Sequence, residues 1–241
     1  MTERIHFKVK VNQRIQVGTE WMGKDEDCAV WGALRLPKGY SESGKKVPLV
    51  LYTHGAGGYF TETECYDAFE MNTDLLLEKG YAVFDINGSN QENGTSGAKN
   101  MGSPRTILAY KKAYDYITSR YHIDEKIFVH GTSMGGLSAY NFTRRNPSIV
   151  RAVCLVYPVT DLYGQAWLHP FASDGRQWIA KEYGFSDQSG NTWEKERVKG
   201  YSPMERHGDS DFDDSNRRFP VPIYMIHGTK DTVVDVKQPC L

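Results

Sequence analysis

Long apolar runs are missing from this 241-residue chain. No stretch approaches the ~18 residues needed to span a bilayer. The start, Met1-Thr2-Glu3-Arg4-Ile5-His6-Phe7-Lys8, lacks the apolar segment of a secretory signal. Charge of one sign is missing too: 29 Lys and Arg stand against 30 Asp and Glu. An even balance gives no electrostatic reason to expect nucleic acid or an anionic membrane as a partner. Cysteine is scarce. Cys28, Cys65, Cys154 and Cys240 show no C-x-x-C spacing, which argues against a disulfide scaffold or a thiolate zinc site and predicts free thiols. Neither G-x-G-x-x-G nor G-x-x-x-x-G-K-[ST] occurs, so nucleotide binding is disfavoured. Asp209-Ser210-Asp211-Phe212-Asp213-Asp214 opens like a calcium loop. Its sixth position is Asp214 rather than glycine and its twelfth is Pro220, so a solvated acidic loop is expected. These absences predict a soluble, cytoplasmic protein with no metal site.

Enough is present to build a core: 39% of residues are hydrophobic and 12% aromatic, which suits a single α/β domain over residues 1–241. Residues 4 to 11 and Cys28 to Leu36 alternate with a period of two, predicting half-exposed antiparallel strands. Val47 to Thr53, Tyr81 to Asn87, Lys126 to His130, Val150 to Tyr157 and Val221 to His227 are short apolar runs of the kind that form buried parallel strands. Helical spacing predicts helices over Thr63 to Lys79, closed by Gly80, and over Pro104 to Tyr121, with another after residue 133. Strand and helix in alternation imply a doubly wound, mostly parallel sheet. Residues 158–219 break the rhythm, carry Trp167, Trp178 and Trp193, and are read as a small cap insertion with one or two short helices. The aromatic residues Trp167, Phe171, Trp178 and Trp193 either line a substrate pocket or hold the cap down, and the second reading is preferred.

Three motifs carry chemistry. Gly131-Thr132-Ser133-Met134-Gly135 reads G-x-S-x-G, with an apolar strand before it and a helix after it. Such a turn presents a serine at its apex, and the hydroxyl needs a neighbouring base to become a nucleophile. His54-Gly55-Ala56-Gly57-Gly58 follows another strand. Small residues there let backbone N–H groups approach a developing oxyanion, so Ala56 or Gly57 would supply one donor and Met134 the other. His227-Gly228-Thr229-Lys230-Asp231 follows the last apolar run. Asp231 is the first choice for the acid that orients an imidazole, Asp161 the second and Asp235 the third.

In this order the three motifs resemble the α/β-hydrolase superfamily, in its esterase and prolyl-oligopeptidase-like branch, from about Val47 to Val236. The resemblance implies an eight-stranded, largely parallel sheet, a Ser–Asp–His triad and no cofactor. It implies Ser133 as nucleophile, Asp231 as acid and residues 54 to 58 as the oxyanion loop. In that family the histidine follows the acid, after one more strand. Here Thr232 to Leu241 contain none. Ten residues reach about 33 Å, so span is not the obstacle. His54, His130 and His227 adjoin motif glycines and are read as structural; His6 and His122 as strand or surface positions. His169 and His207, in the cap, are the candidates for a substitute base. In a serine protease, deleting the histidine costs roughly 10⁶ in kcat, about 8 kcal/mol.

The chain is accordingly read as a truncated hydrolase lacking the last strand and helix. Val221 to Ile226 then becomes a sheet edge open to self-association. The leading expectation is hydrolysis of a small-molecule carboxylic ester through an acyl-serine. A serine peptidase of the prolyl-oligopeptidase type is the alternative, set behind because about 46 residues before the first buried strand are too few for a propeller. A non-catalytic hydrolase-like binding protein is the third reading.

Overall fold

The computed structural model describes residues 4–17, 20–66, 68–88, 100–168, 172–206 and 219–234. The two alternating segments at the start form antiparallel strands as expected, and they pair with each other. β1 (Arg4–Asn12) and β4 (Asp27–Arg35) run antiparallel, with Arg4 opposite Arg35. The short β2 (Ile15–Val17) and β3 (Glu20–Met22) between them form a separate hairpin. β4, more buried than its alternation suggests because it is covered by neighbours on both sides, joins β6 (Ala82–Ile86) antiparallel. From there the sheet is parallel through β5 (Leu49–Thr53), β7 (Ile127–Thr132), β8 (Val150–Val156) and β9 (Ile223–Ile226), in the order β1-β4-β6-β5-β7-β8-β9. The sheet has seven strands among the described residues, where the resemblance implied eight.

Helices lie on both faces. α1 (Ala68–Glu78) packs Phe69 and Leu77 on Val50, Tyr52 and Val83. α2 (Pro104–Thr118) and α3 (Met134–Arg145) cover Leu49, Leu51, Phe84, Val129 and Leu155 on the other face. Every residue of β5 and β6 is buried, as continuous apolar runs require. α1 begins later than the predicted Thr63. The Thr61 hydroxyl accepts the N–H groups of Thr63 and Glu64, and Phe60 bridges Cys65, which fixes a turn where helical spacing suggested a helix. β9 lies at the sheet edge and exposes Ile223, Tyr224 and Ile226.

After β8 the chain folds as a π-helical turn (Gly164–Leu168), α4 (Ala172–Tyr183), α5 (Lys195–Val198) and a 3-10 turn (Pro203–Arg206). Their apolar side chains, among them Leu162, Ile179, Tyr183 and Phe185, share a cluster with Met134 and Leu137 of α3. A buried carboxylate pins this segment to the sheet layer. Glu182 Oε2 accepts the hydroxyl of Ser103 at 2.8 Å, and Ser103 is the N-cap of α2. The negative charge thus sits at a helix N-terminus, with Arg105 3.9 Å away. Tyr183 donates to the Met101 carbonyl alongside.

Removing that carboxylate takes the charged acceptor from the buried Ser103 hydroxyl and the ion-pair partner from Arg105, leaving them the Thr106 hydroxyl and the Gln13 carbonyl. Glu182→Ala is expected to cost about 2–4 kcal/mol in urea unfolding. Asp115→Ala, which breaks only the exposed Lys111–Asp115 pair, is expected to cost under about 0.5 kcal/mol. Equal losses in the two variants would contradict this anchoring.

Among the described residues no helix is long and apolar enough to cross a membrane. Cys65 and Cys154 are free thiols. Cys240, Phe171, His169, His207, Asp235 and the acidic loop from Asp209 to Asp214 lie outside the described residues.

Candidate active site

Ser133 occupies the bend between β7 and α3 with φ 55° and ψ −124°, a backbone conformation that costs a non-glycine residue energy. The bend is held from three sides. Ser133 N–H donates to the Val156 carbonyl, and the Ser133 carbonyl accepts from both Gly136 and Val159. The glycines are there because nothing larger fits. A Cβ on Gly131 would lie 2.7 Å from Thr53 Oγ1, one on Gly135 2.1 Å from the Thr53 carbonyl oxygen, and one on Gly136 2.5 Å from Pro158 Cβ. α3 can therefore enter close against the end of β5, and Thr53 Oγ1 donates to the Gly135 carbonyl at 2.6 Å. Ser133 is half-buried, and its side chain makes no capping bond to the helix.

The glycine loop follows β5 on the same edge of the sheet. A Cβ on Gly55 would come 3.5 Å from Ser133 Cβ, so this loop runs directly beside the serine. Gly58 N–H closes a turn onto the Gly55 carbonyl. Ala56 and Gly57 at its tip are exposed. Their N–H groups, and that of Met134 at the first position of α3, take no backbone partner among the described residues. Three unspent donors therefore stand near one serine.

Asp231 follows β9, so it too lies at the carboxyl end of the parallel strands. β9 is two strand spacings from β7, about 10 Å. Its Oδ1 accepts the N–H groups of Val233 and Val234, which folds the loop back, and Val234 packs in the same apolar cluster as Met134. Oδ2 lies 3.4 Å from His227 Nε2. Asp161, the second choice, follows β8 but turns inward on its own segment: its Oδ1 accepts the Gly164 N–H at 2.9 Å and caps the π-helical turn.

Among the described residues no imidazole is hydrogen-bonded to the Ser133 hydroxyl. His54 Nδ1 meets Asp85 Oδ2 at 2.8 Å, His6 Nδ1 meets the Thr61 carbonyl, and His227 Nε2 meets the Val234 carbonyl. His130 stacks on Tyr52 at 5.2 Å, and burial holds its imidazole below the ordinary value. Aromatic side chains between residues 163 and 193 pack on one another. Trp167 and Trp193 meet edge to face at 5.2 Å, Tyr163 stacks on Trp167, and Phe185 adds a further edge contact to Trp193.

Sequence reasoning did not single out two residues here. Asp85 is fully buried against His54, and its signal was a lone charge inside the apolar run from Tyr81 to Asn87. Tyr157, the residue after β8, has φ 39° and stays largely exposed at the same end of the sheet. Nothing in its neighbours' identities announces that strain.

A serine at a strained strand-to-helix bend, a glycine loop beside it and a mostly parallel sheet behind them define the α/β-hydrolase fold. Within that class the chain belongs to the prolyl oligopeptidase family, whose sequence profile matches residues 67–241. No curated protein matches the chain in sequence. Similar solved structures include a Pyrococcus horikoshii acylaminoacyl peptidase (TM-score 0.66, 18% identity, 99% of this chain and 34% of that one). A prolyl endopeptidase (0.61, 20%, 98% and 31%) and a Mycobacterium tuberculosis puromycin-hydrolyzing peptidase (0.62, 18%, 88% and 30%) are others. The chain thus spans about a third of the length of these peptidases. At such identity they show the fold.

The family membership corrects one expectation: it favours the peptidase alternative over the ester reading. Strands β1 to β4 lie in the residues ahead of β5, and β1 and β4 belong to the same sheet.

Proposed function

We propose that this chain carries the catalytic serine of a peptidase that forms an acyl-serine intermediate. Ser133 attacks the scissile carbonyl. Met134 N–H, with Ala56 or Gly57 N–H, stabilises the tetrahedral oxyanion, and the Asp231 carboxylate orients the imidazole that takes the serine proton. The observation that carries this reading is the positive φ of Ser133 on a bend lined by the Gly55 loop. The described imidazoles are engaged elsewhere or make no contact with Ser133, so the base is assigned to none of them; His169 and His207 remain its candidates within the sequence. The family membership, together with neighbours that are peptidases by name, supports an acyl-amide over a simple ester as substrate.

The test pairs a fluorophosphonate probe with two substrates, an N-acetylated peptide amide and p-nitrophenyl butyrate. The expected result is a label on Ser133 by peptide mapping, with peptide cleavage lost in Ser133→Ala. Ester turnover without any peptide cleavage would return the case to an esterase. A folded protein that neither labels nor turns over would support the non-catalytic reading instead.

We also propose that the open side of β9 pairs with β9 of a second copy. Ile223, Tyr224 and Ile226 stand exposed on a strand that pairs on one side only among the described residues, the arrangement that invites edge-to-edge pairing. Sedimentation velocity is expected to show concentration-dependent dimers, and Tyr224→Lys is expected to shift them to monomer. A wild-type monomer at every concentration would remove this proposal.

A further inference from the structure

Beneath the glycine loop lies a polar pair that the proposed chemistry does not use. His54 is the residue after β5, and Asp85 lies on the neighbouring strand β6. Their side chains are 1% and 0% exposed and meet at 2.8 Å. An apolar interior tolerates such a pair only if its remaining lone pairs and protons are satisfied or its position is needed. Asp85 is well supplied: Oδ1 accepts the Ile86 N–H at 2.7 Å, and Oδ2 also accepts the Tyr66 hydroxyl at 3.3 Å. His54 Nε2 is buried and has no hydrogen-bond partner among the described residues. The pair is therefore not arranged for its own stability alone.

The loop is draped over this imidazole. A Cβ on Gly58 would fall 2.4 Å from His54 Cγ and Cδ2, so the turn from Gly55 to Gly58 rests directly against the Cγ–Cδ2 side of the imidazole. The rings of Phe60 and Tyr66 close around His54 at 6.0 and 5.7 Å. The far end of the loop is clamped separately: Asn87 Oδ1 accepts the Phe60 N–H, and Asn87 Nδ2 donates to the Phe60 carbonyl. The near end passes Ser133 at Gly55. Tilting the His54 ring would move the turn that carries the Ala56 and Gly57 N–H groups, while both ends stayed fixed.

We propose that the His54–Asp85 pair is a positioning device: Asp85 fixes the tilt of the His54 ring, and the ring sets the height of the 55–58 turn relative to Ser133. His54 and Asp85 touch no reacting atom; they act through the turn. This inference rests on the reading of that turn as an oxyanion donor. Misplacement by about 1 Å near reacting atoms can cost ~10²-fold, so an effect of that order on the reaction of Ser133 is expected where the melting point falls only modestly.

The experiment compares wild type, Asp85→Asn, Asp85→Ala, His54→Asn and His54→Ala on the full chain. Asparagine at 54 places an amide near the position of Nδ1, and asparagine at 85 keeps the carboxylate's size, so these two guard against simple unfolding. Three quantities are read: the thermal midpoint, the second-order rate of fluorophosphonate capture at Ser133, and the amide NMR shifts of Ala56 and Gly57.

Both alanine variants are expected to move the Ala56 and Gly57 resonances and to slow capture by at least tenfold. The asparagine variants are expected to recover much of both. Unmoved resonances and unchanged capture in the folded variants, with only the midpoint lowered, would make the pair a structural filler and overturn the proposal. If wild type is not captured at all, the hydrolase reading fails. The NMR arm still decides whether the pair positions the turn: moved resonances uphold that and unmoved ones refute it.

Discussion

Ser133→Gly is expected to give a protein that melts higher than wild type and no longer reacts with a fluorophosphonate. The serine is held at φ 55° and ψ −124° by backbone bonds to Val156, Gly136 and Val159 that do not involve its side chain. A residue with a Cβ pays about 1–3 kcal/mol to sit in so sparse a region. Glycine does not, and its greater freedom in the unfolded chain offsets about 0.5–1 kcal/mol of the gain. The net expectation is a stabilisation of about 1 kcal/mol, or roughly 2–4 °C for a protein of this size. Ser133→Ala keeps the Cβ and so the strain; its midpoint should match wild type while its labelling also vanishes. Differential scanning calorimetry with mass-spectrometric detection of the adduct separates the two effects. A glycine variant that melts no higher than the alanine variant would show that the bend is not strained. An adduct that persists would place the nucleophile elsewhere.

Gly135→Ala is expected to be severely destabilising. Its Cβ would lie 2.1 Å from the Thr53 carbonyl oxygen and 2.4 Å from that of His54. Both are backbone atoms and cannot rotate aside. The first turn of α3 would have to lift off the end of β5, breaking the Thr53–Gly135 hydrogen bond and carrying Ser133 with it. Overpacking in a tight core costs typically about 1–3 kcal/mol and more where backbone is the obstacle. A loss above about 3 kcal/mol in urea unfolding is expected. The control is Gly57→Ala, where no atom lies within 4 Å of the added carbon, so its stability should stay within about 0.5 kcal/mol of wild type. If the two variants unfold alike, α3 does not enter against β5 as described.

Much of the architecture was legible where one element could be read by itself. The alternation of Ile5, Phe7, Val9 and Val11 marked an outer antiparallel strand, because a period of two is what one covered face produces. The apolar runs at Val47 to Thr53 and Tyr81 to Asn87 became β5 and β6, buried on both faces. The start of α1 was not legible. A single Thr61 hydroxyl competes for the backbone N–H groups there, and a side-chain rotamer of that kind leaves no periodic trace.

The site divides in the same way. Ser133 and the glycine loop were visible because a strand-to-helix bend and a close backbone approach each demand small residues at fixed local spacing. Asp231 was visible only as one of three carboxylates. Both Asp231 and Asp161 have one oxygen engaged by backbone N–H groups of their own loops, Val233 and Val234 for the first and Gly164 for the second. The preference for an ester came from motifs that esterases and peptidases share, and it yielded to the family match over residues 67–241.

By itself the chain's order of residues determined where most strands and helices fall and the glycine spacing around Ser133 and in the 54–58 loop, since those patterns are local. Only the tertiary structure decided that β5 lies between β6 and β7. That neighbourhood brings Gly55 beside Ser133 and buries Asp85 against His54. The physical reason is range: hydrogen bonding between strands distant in the chain selects neighbours by the packing of the whole sheet, and no local pattern encodes that choice.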